Sequence, residues 1–74
     1  MTKIDHNTKY CFHAVFAGNS HESDEYENKL DAVEAMCQYL RENPAYVWAQ
    51  FIAHHYADQF FDEYREVDFT MSNN

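Results

Sequence analysis

Hydrophobic residues along the chain follow a period of two, then a helical period, then a pattern that admits both. Residues 9–17 read Lys-Tyr-Cys-Phe-His-Ala-Val-Phe-Ala and end at Gly18. Tyr10, Phe12, Ala14 and Phe16 fall on one side, and Cys11, His13 and Val15 on the other. That alternation predicts a strand covered on both faces. A polar turn over 18–23 follows, and residues 24–27 are a candidate short return strand with Tyr26 pointing inward. Leu30, Val33, Cys37 and Leu40 then recur at spacings of three and four, with Met36 widening the stripe. The spacing predicts a helix over 29–42, capped by Asn28, with Asp31 in its first turn. Glu27, Asp31, Glu34, Gln38 and Glu42 lie on its polar side.

Residues 45–64 are the ambiguous stretch. Tyr46, Val47 and Trp48 have β propensity, but both strand registers through them are mixed in polarity. A helical reading sorts better. It gathers Ala45, Ala49, Ile52, Ala53, Tyr56, Ala57, Phe60 and Tyr64 on one arc, with His54, Asp58, Asp62 and Arg65 opposite. Asn43 and Pro44 suit the cap and first position of such a helix, and no turn residue interrupts it before Asp58. Alanines at 45, 49, 53 and 57 would form one column of small residues. Residues 66–71 alternate Val67, Phe69 and Met71 with Glu66, Asp68 and Thr70, which predicts a last strand beside the first. The expected fold is α+β, a small antiparallel sheet of two or three strands covered by two helices. It forms one domain over 1–74, with 1–8 and 72–74 frayed.

Composition agrees with few, long elements. A chain of 74 residues holds one core, and a single glycine and a single proline supply little for the tight turns of an all-β fold. At 46% hydrophobic and 18% aromatic it is too apolar to remain disordered. Two cysteines, Cys11 and Cys37, allow at most one disulfide and read as buried, reduced thiols. With no apolar run of membrane length and no signal-peptide pattern at the start, a soluble cytoplasmic setting is expected.

Candidate chemistry is sparse. Cys11 and His13 share a strand face, and His54 with Asp58 would form an i,i+4 pair on a helix, but a zinc site needs further ligands. No metal and no cofactor are expected. Ser20, Ser23 and Ser72 lack an organised histidine and carboxylate, and one glycine cannot build a phosphate loop. The chain is not expected to be an enzyme.

Charge carries more information. Thirteen acidic against five basic residues give a net charge of −8, which disfavours direct contact with nucleic acid or with anionic membrane. Every acid except Asp5 lies within 22–42 or 58–68. On helices, Glu27 with Asp31, and Asp58 with Asp62 and Glu66, would form i,i+4 columns whose mutual repulsion costs about 0.2–0.5 kcal/mol per pair. Such rows imitate a phosphate backbone and attract a basic groove. Val47 and Phe51, four apart beside these acids, are the candidate apolar anchor. The candidate partner-binding set is therefore Glu27, Asp31, Glu34, Val47, Phe51, Asp58, Asp62 and Glu66.

In size, charge, aromatic content and the acidic runs 22–34 and 58–68, the chain resembles the small acidic inhibitors encoded by phages and mobile elements, of the anti-CRISPR and anti-restriction type. The resemblance rests on no motif, so it assigns no functional residue. It implies a host protein with a basic, nucleic-acid-binding surface as partner. The alternative is a cytoplasmic adaptor or homodimer that uses its apolar face and mimics no nucleic acid.

Overall fold

A computed structural model describes residues 7–73. Their elements run β1 (Thr8–Val15), β2 (Ser20–Glu22), α1 (Lys29–Glu42), β3 (Trp48–His55) and β4 (Tyr64–Ser72). The strands form one antiparallel sheet in the order β2-β1-β3-β4. The helix α1 packs on one face of that sheet over β1. None of the described helices is long and apolar enough to cross a membrane.

The core forms where the period-two run of β1 meets β3. Register places Phe12 opposite Phe51 and Ala14 opposite Ala49. These four side chains are buried against Ala32, Met36 and Leu40 of α1. The small Ala14, Ala32 and Ala49 let the helix backbone approach the sheet, and Phe51 fills the centre at 0% exposure. Its ring stacks 6.0 Å from Tyr10 and 5.1 Å from Phe69. Burying a phenylalanine of this kind stabilises the fold by about 1.5–3 kcal/mol.

The helix forms over the predicted span. Asn28 Oδ1 accepts from the backbone N–H groups of Leu30 and Asp31 at 2.8 and 3.2 Å, and Asn43 caps the other end. Its buried stripe is Ala32, Met36 and Leu40, so Leu30 and Cys37, expected inside, lie exposed. Tyr39 turns the helix this way by packing its ring against Phe12 and Phe16.

The second helix expected over 45–64 does not exist. The sheet has four strands rather than two or three, and one helix covers it. Residues 48–55 are the central strand β3, paired on both sides. A central strand is buried on both faces and loses the polar alternation that marks a half-buried one. The alanine spacing of four misleads because four is also two strand periods, which sets Ala49 and Ala53 on one sheet face. β4 pairs with β3 and not, as expected, with β1. The return strand is Ser20–Glu22, and Tyr26 forms only an isolated bridge with Tyr10. Of the fraying expected over 1–8 and 72–74, residues 1–6 and 74 lie outside the described residues, whereas Thr8 and Ser72 lie in β1 and β4.

Candidate functional site

The sheet face opposite α1 carries a polar network that at first suggests chemistry. His54, 7% exposed, bonds through Nδ1 to Glu25 at 2.7 Å and through Nε2 to Glu63 at 2.5 Å. Its ring stacks 4.1 Å from Tyr56, whose hydroxyl donates to Glu25. Both ring nitrogens are thereby engaged by carboxylates. Burial pushes the Glu25 carboxyl up, but the hydrogen bonds from Tyr56 and His54 outweigh it and hold the group below the ordinary range. The same bond to Glu25 pushes the Tyr56 hydroxyl up to about 12.

Beside this cluster, Arg65 of β4 reaches across β3 and β1 to Glu22 of β2 at 3.0 Å. Cys11 lies buried on this face, and burial raises its thiol. Both ring nitrogens of His54 are held by carboxylates, and the Cys11 thiol is buried beneath them. The network is a brace for the uncovered face. Among the described residues, no three His, Cys, Asp or Glu side chains are placed to hold a metal ion.

On the helix side, α1 and the β2 edge leave an open cleft of about 350 Å³. Phe12, Tyr26, Tyr39 and His21 make its apolar lining. His21 stacks on Tyr39 at 4.5 Å with the rings 13° from parallel. Strand alternation puts His21 there, opposite Ala14 on the helix side of the sheet. Carboxylates occupy both rims, Asp24 from the β2 side and Glu42 from the helix, while the Glu22 carboxylate turns to the other face and pairs with Arg65. Glu42 accepts from the neutral Gln38 amide at 3.1 Å, so its charge stays uncompensated. No lysine or arginine lines the cleft. Comparison with family models, curated proteins and solved structures finds no match.

An aromatic floor between uncompensated carboxylates suits a guanidinium or ammonium group, which gains from ring faces and from negative charge together. Arginine fits best, since its planar head can stack and donate at its edge in one pose.

The residues expected to bind a partner are not brought together. Phe51, expected as an exposed anchor, is in the core because residues 48–55 are a central strand. The column of Asp58, Asp62 and Glu66 does not form. Asp58 accepts from the N–H groups of Phe60 and Phe61 in the β3–β4 loop, Asp62 lies in that loop, and Glu66 in β4 bonds His55 at 3.1 Å. Glu27 pairs with Lys9 at 3.0 Å. Asp31 and Glu34 are exposed on α1, and Val47 is exposed just before β3. Asp31 leads into the cleft's helical wall, since Ala35, Gln38 and Glu42 follow it at i+4, i+7 and i+11. Sequence reasoning missed His21, Asp24 and Tyr39. Placing the return strand at 20–22 rather than 24–27 would have set His21 beside the helix.

Proposed function

We propose that the chain is an acidic protein-binding inhibitor that engages a basic, nucleic-acid-binding surface of a host protein and blocks it by occupancy. The observation that carries this reading is the cleft between α1 and β2, with aromatic residues inside, carboxylates on both rims and no cation in its lining. It moves the contact away from Phe51 and the 58–66 acids. One arginine of the partner enters the cleft, while the net charge of −8 steers the encounter. The inhibitory part follows from the class resemblance to phage-encoded inhibitors such as those of CRISPR and restriction systems.

The direct test is a titration of the isotopically labelled chain with a short arginine-rich peptide, followed by backbone amide shifts. Shifts should concentrate at His21, Asp24, Gln38 and Tyr39 and should fade as salt is raised. Asp24→Lys combined with Glu42→Lys should weaken binding about tenfold or more, whereas Asp62→Lys should leave it nearly unchanged. Shifts spread evenly over every acidic residue, or binding indifferent to salt, would sink the cleft. For the inhibitory step, a partner captured from a bacterial lysate is identified by mass spectrometry. It should lose its nucleic acid when the chain is added; a partner that keeps it excludes inhibition by occupancy.

A further inference from the structure

The phase of the backbone hydrogen bonds fixes which groups β4 turns outward. Tyr56 N–H donates to Asn7 O at 2.7 Å. Carried along the β1–β3 register, that phase sends Trp48, Gln50, Ile52 and His54 toward β1 and leaves Ala49, Phe51, Ala53 and His55 to bond β4. At the other end of β3, Asn73 N–H donates to Val47 O at 3.1 Å and sets the same phase. Tyr64, Glu66, Phe69 and Met71 therefore bond inward, and the outer edge of the sheet receives the backbone groups of Arg65, Val67, Thr70 and Ser72. The register shift at Phe51/Ile52 inserts Asp68 as a bulge, so the outward residues are spaced two, three and two apart. That spacing reads the same from either end.

We propose that β4 pairs antiparallel with β4 of a second copy of this chain, about a two-fold axis between Asp68 and Phe69. The pairing opposes Val67 to the partner's Thr70 and Arg65 to the partner's Ser72, each twice by symmetry. Both members of each pair already lie on the sheet face away from α1, so no side chain changes sides. A symmetric pairing centred on Asp68 would oppose two carboxylates, and one centred on Phe69 would bring inward-bonded groups to the edge.

The charged residues of β4 do not guard this edge, because each is bound inside its own chain. Arg65 pairs with Glu22, Glu66 with His55, and Asp68 with Lys29 at 2.9 Å. What β4 leaves unused among the described residues is its outward backbone groups and the half-exposed Val67, Phe69 and Met71. The matched spacing favours a copy of the same strand over a foreign one. Because β2 is the opposite edge of the sheet, such a dimer leaves both clefts open, and the pairing stands whether or not the clefts bind arginine.

Sedimentation equilibrium of the native chain at about 100 μM, generous for an interface of modest size, should give twice the chain mass of 8.8 kDa. Added salt should tighten the dimer, since it screens two like-charged chains; binding to a basic partner responds in the opposite sense. In the dimer the amides of Val67, Thr70 and Ser72, which the register turns away from β3 and which have no partner among the described residues, should exchange with solvent about tenfold or more slowly. Thr70→Pro removes one outward N–H and should give a monomer with unchanged circular dichroism and melting, while Thr70→Ala stays dimeric. Should Thr70→Pro fail to fold, the exchange pattern of the native chain still decides. A chain monomeric throughout, or a dimer whose Val67 and Thr70 amides exchange as freely as loop amides, would overturn the proposal.

Discussion

Replacing His54 with leucine isolates the electrostatics of the braced face. Leucine fills a similar volume, so the cavity contribution is small and the loss is that of the two hydrogen bonds that tie Glu25 and Glu63 to one ring. Two hydrogen bonds to charged groups disappear, each contributing about 1.5–3 kcal/mol before rehydration. Rehydration is generous at Glu63, whose side chain is 54% exposed, and smaller at Glu25, at 30%. Glu25 and Glu63 then face each other with nothing between them. From bonds of 2.7 and 2.5 Å on either side of the ring, their oxygens lie about 7 Å apart. Like charges at that distance repel by about 2 kcal/mol at an effective dielectric of about 20. After the solvent discount, His54→Leu should cost about 2–4 kcal/mol, a large share of the roughly 4–11 kcal/mol expected for 74 residues. Urea denaturation at neutral pH measures it as a lower midpoint with an unchanged slope. Adding Glu25→Gln and Glu63→Gln to the leucine variant should restore about 1 kcal/mol or more, because two like charges no longer face each other. A His54→Leu chain within about 0.5 kcal/mol of the native one, or a triple variant weaker than the single, would refute the brace.

Phe51→Ala should cost about 3–5 kcal/mol and leave the chain largely unfolded near body temperature; a folded protein that merely bound a partner less well would restore Phe51 as a surface anchor. Glu25 is held below the ordinary carboxyl range, so its contribution is full above the unfolded value and is lost as pH falls through the folded one. The urea midpoint should therefore fall between about pH 6 and pH 3, and Glu25→Gln should flatten that slope; parallel slopes for the two proteins would contradict the assignment. Cys37 is exposed and Cys11 buried, so a thiol reagent should modify Cys37 in the folded chain and reach Cys11 only on unfolding. Equal rates at the two positions would place Cys11 outside the protected face.

How far the fold could be read from the residues depended on how many faces each element buries. The Asn28 cap and the bounds of α1 are local, and both were legible because capping chemistry acts within one turn. The faces of β1 were legible from Tyr10, Phe12, Ala14 and Phe16, although α1 reaches only part of them. β3 was not legible. Its buried residues Ala49, Phe51, Ile52, Ala53 and His54 include both registers, since the helix seals one face and the Glu22–Arg65 and His54 networks close the other. Glu25, 29 positions from His54, and the Glu22–Arg65 pair, whose members are 43 apart, complete that second face, so no local window contains the signal. The same misreading moved the site. Once 45–64 became a helix, Phe51 faced outward and Asp58, Asp62 and Glu66 lined up, and neither arrangement survives on a strand and its hairpin.

The acidic surplus also divides in a way that only the structure separates. Glu22, Glu25, Glu63, Glu66 and Asp68 are bound to Arg65, His54, His55 or Lys29, and their charge is spent on holding β4 and the uncovered face. Asp24, Asp31, Glu34 and Asp62 carry no hydrogen bond or ion pair at their carboxylates among the described residues. Glu42 meets only a neutral amide. Four of these five lie on α1 or on the loop that leads into it, the side that opens onto the aromatic cleft. A partner that needs only a negative surface would find one anywhere on this molecule. A partner that discriminates can read the cleft, where Asp24 and Glu42 stand around the rings of Phe12, His21, Tyr26 and Tyr39, which makes these two acids the first targets for charge reversal.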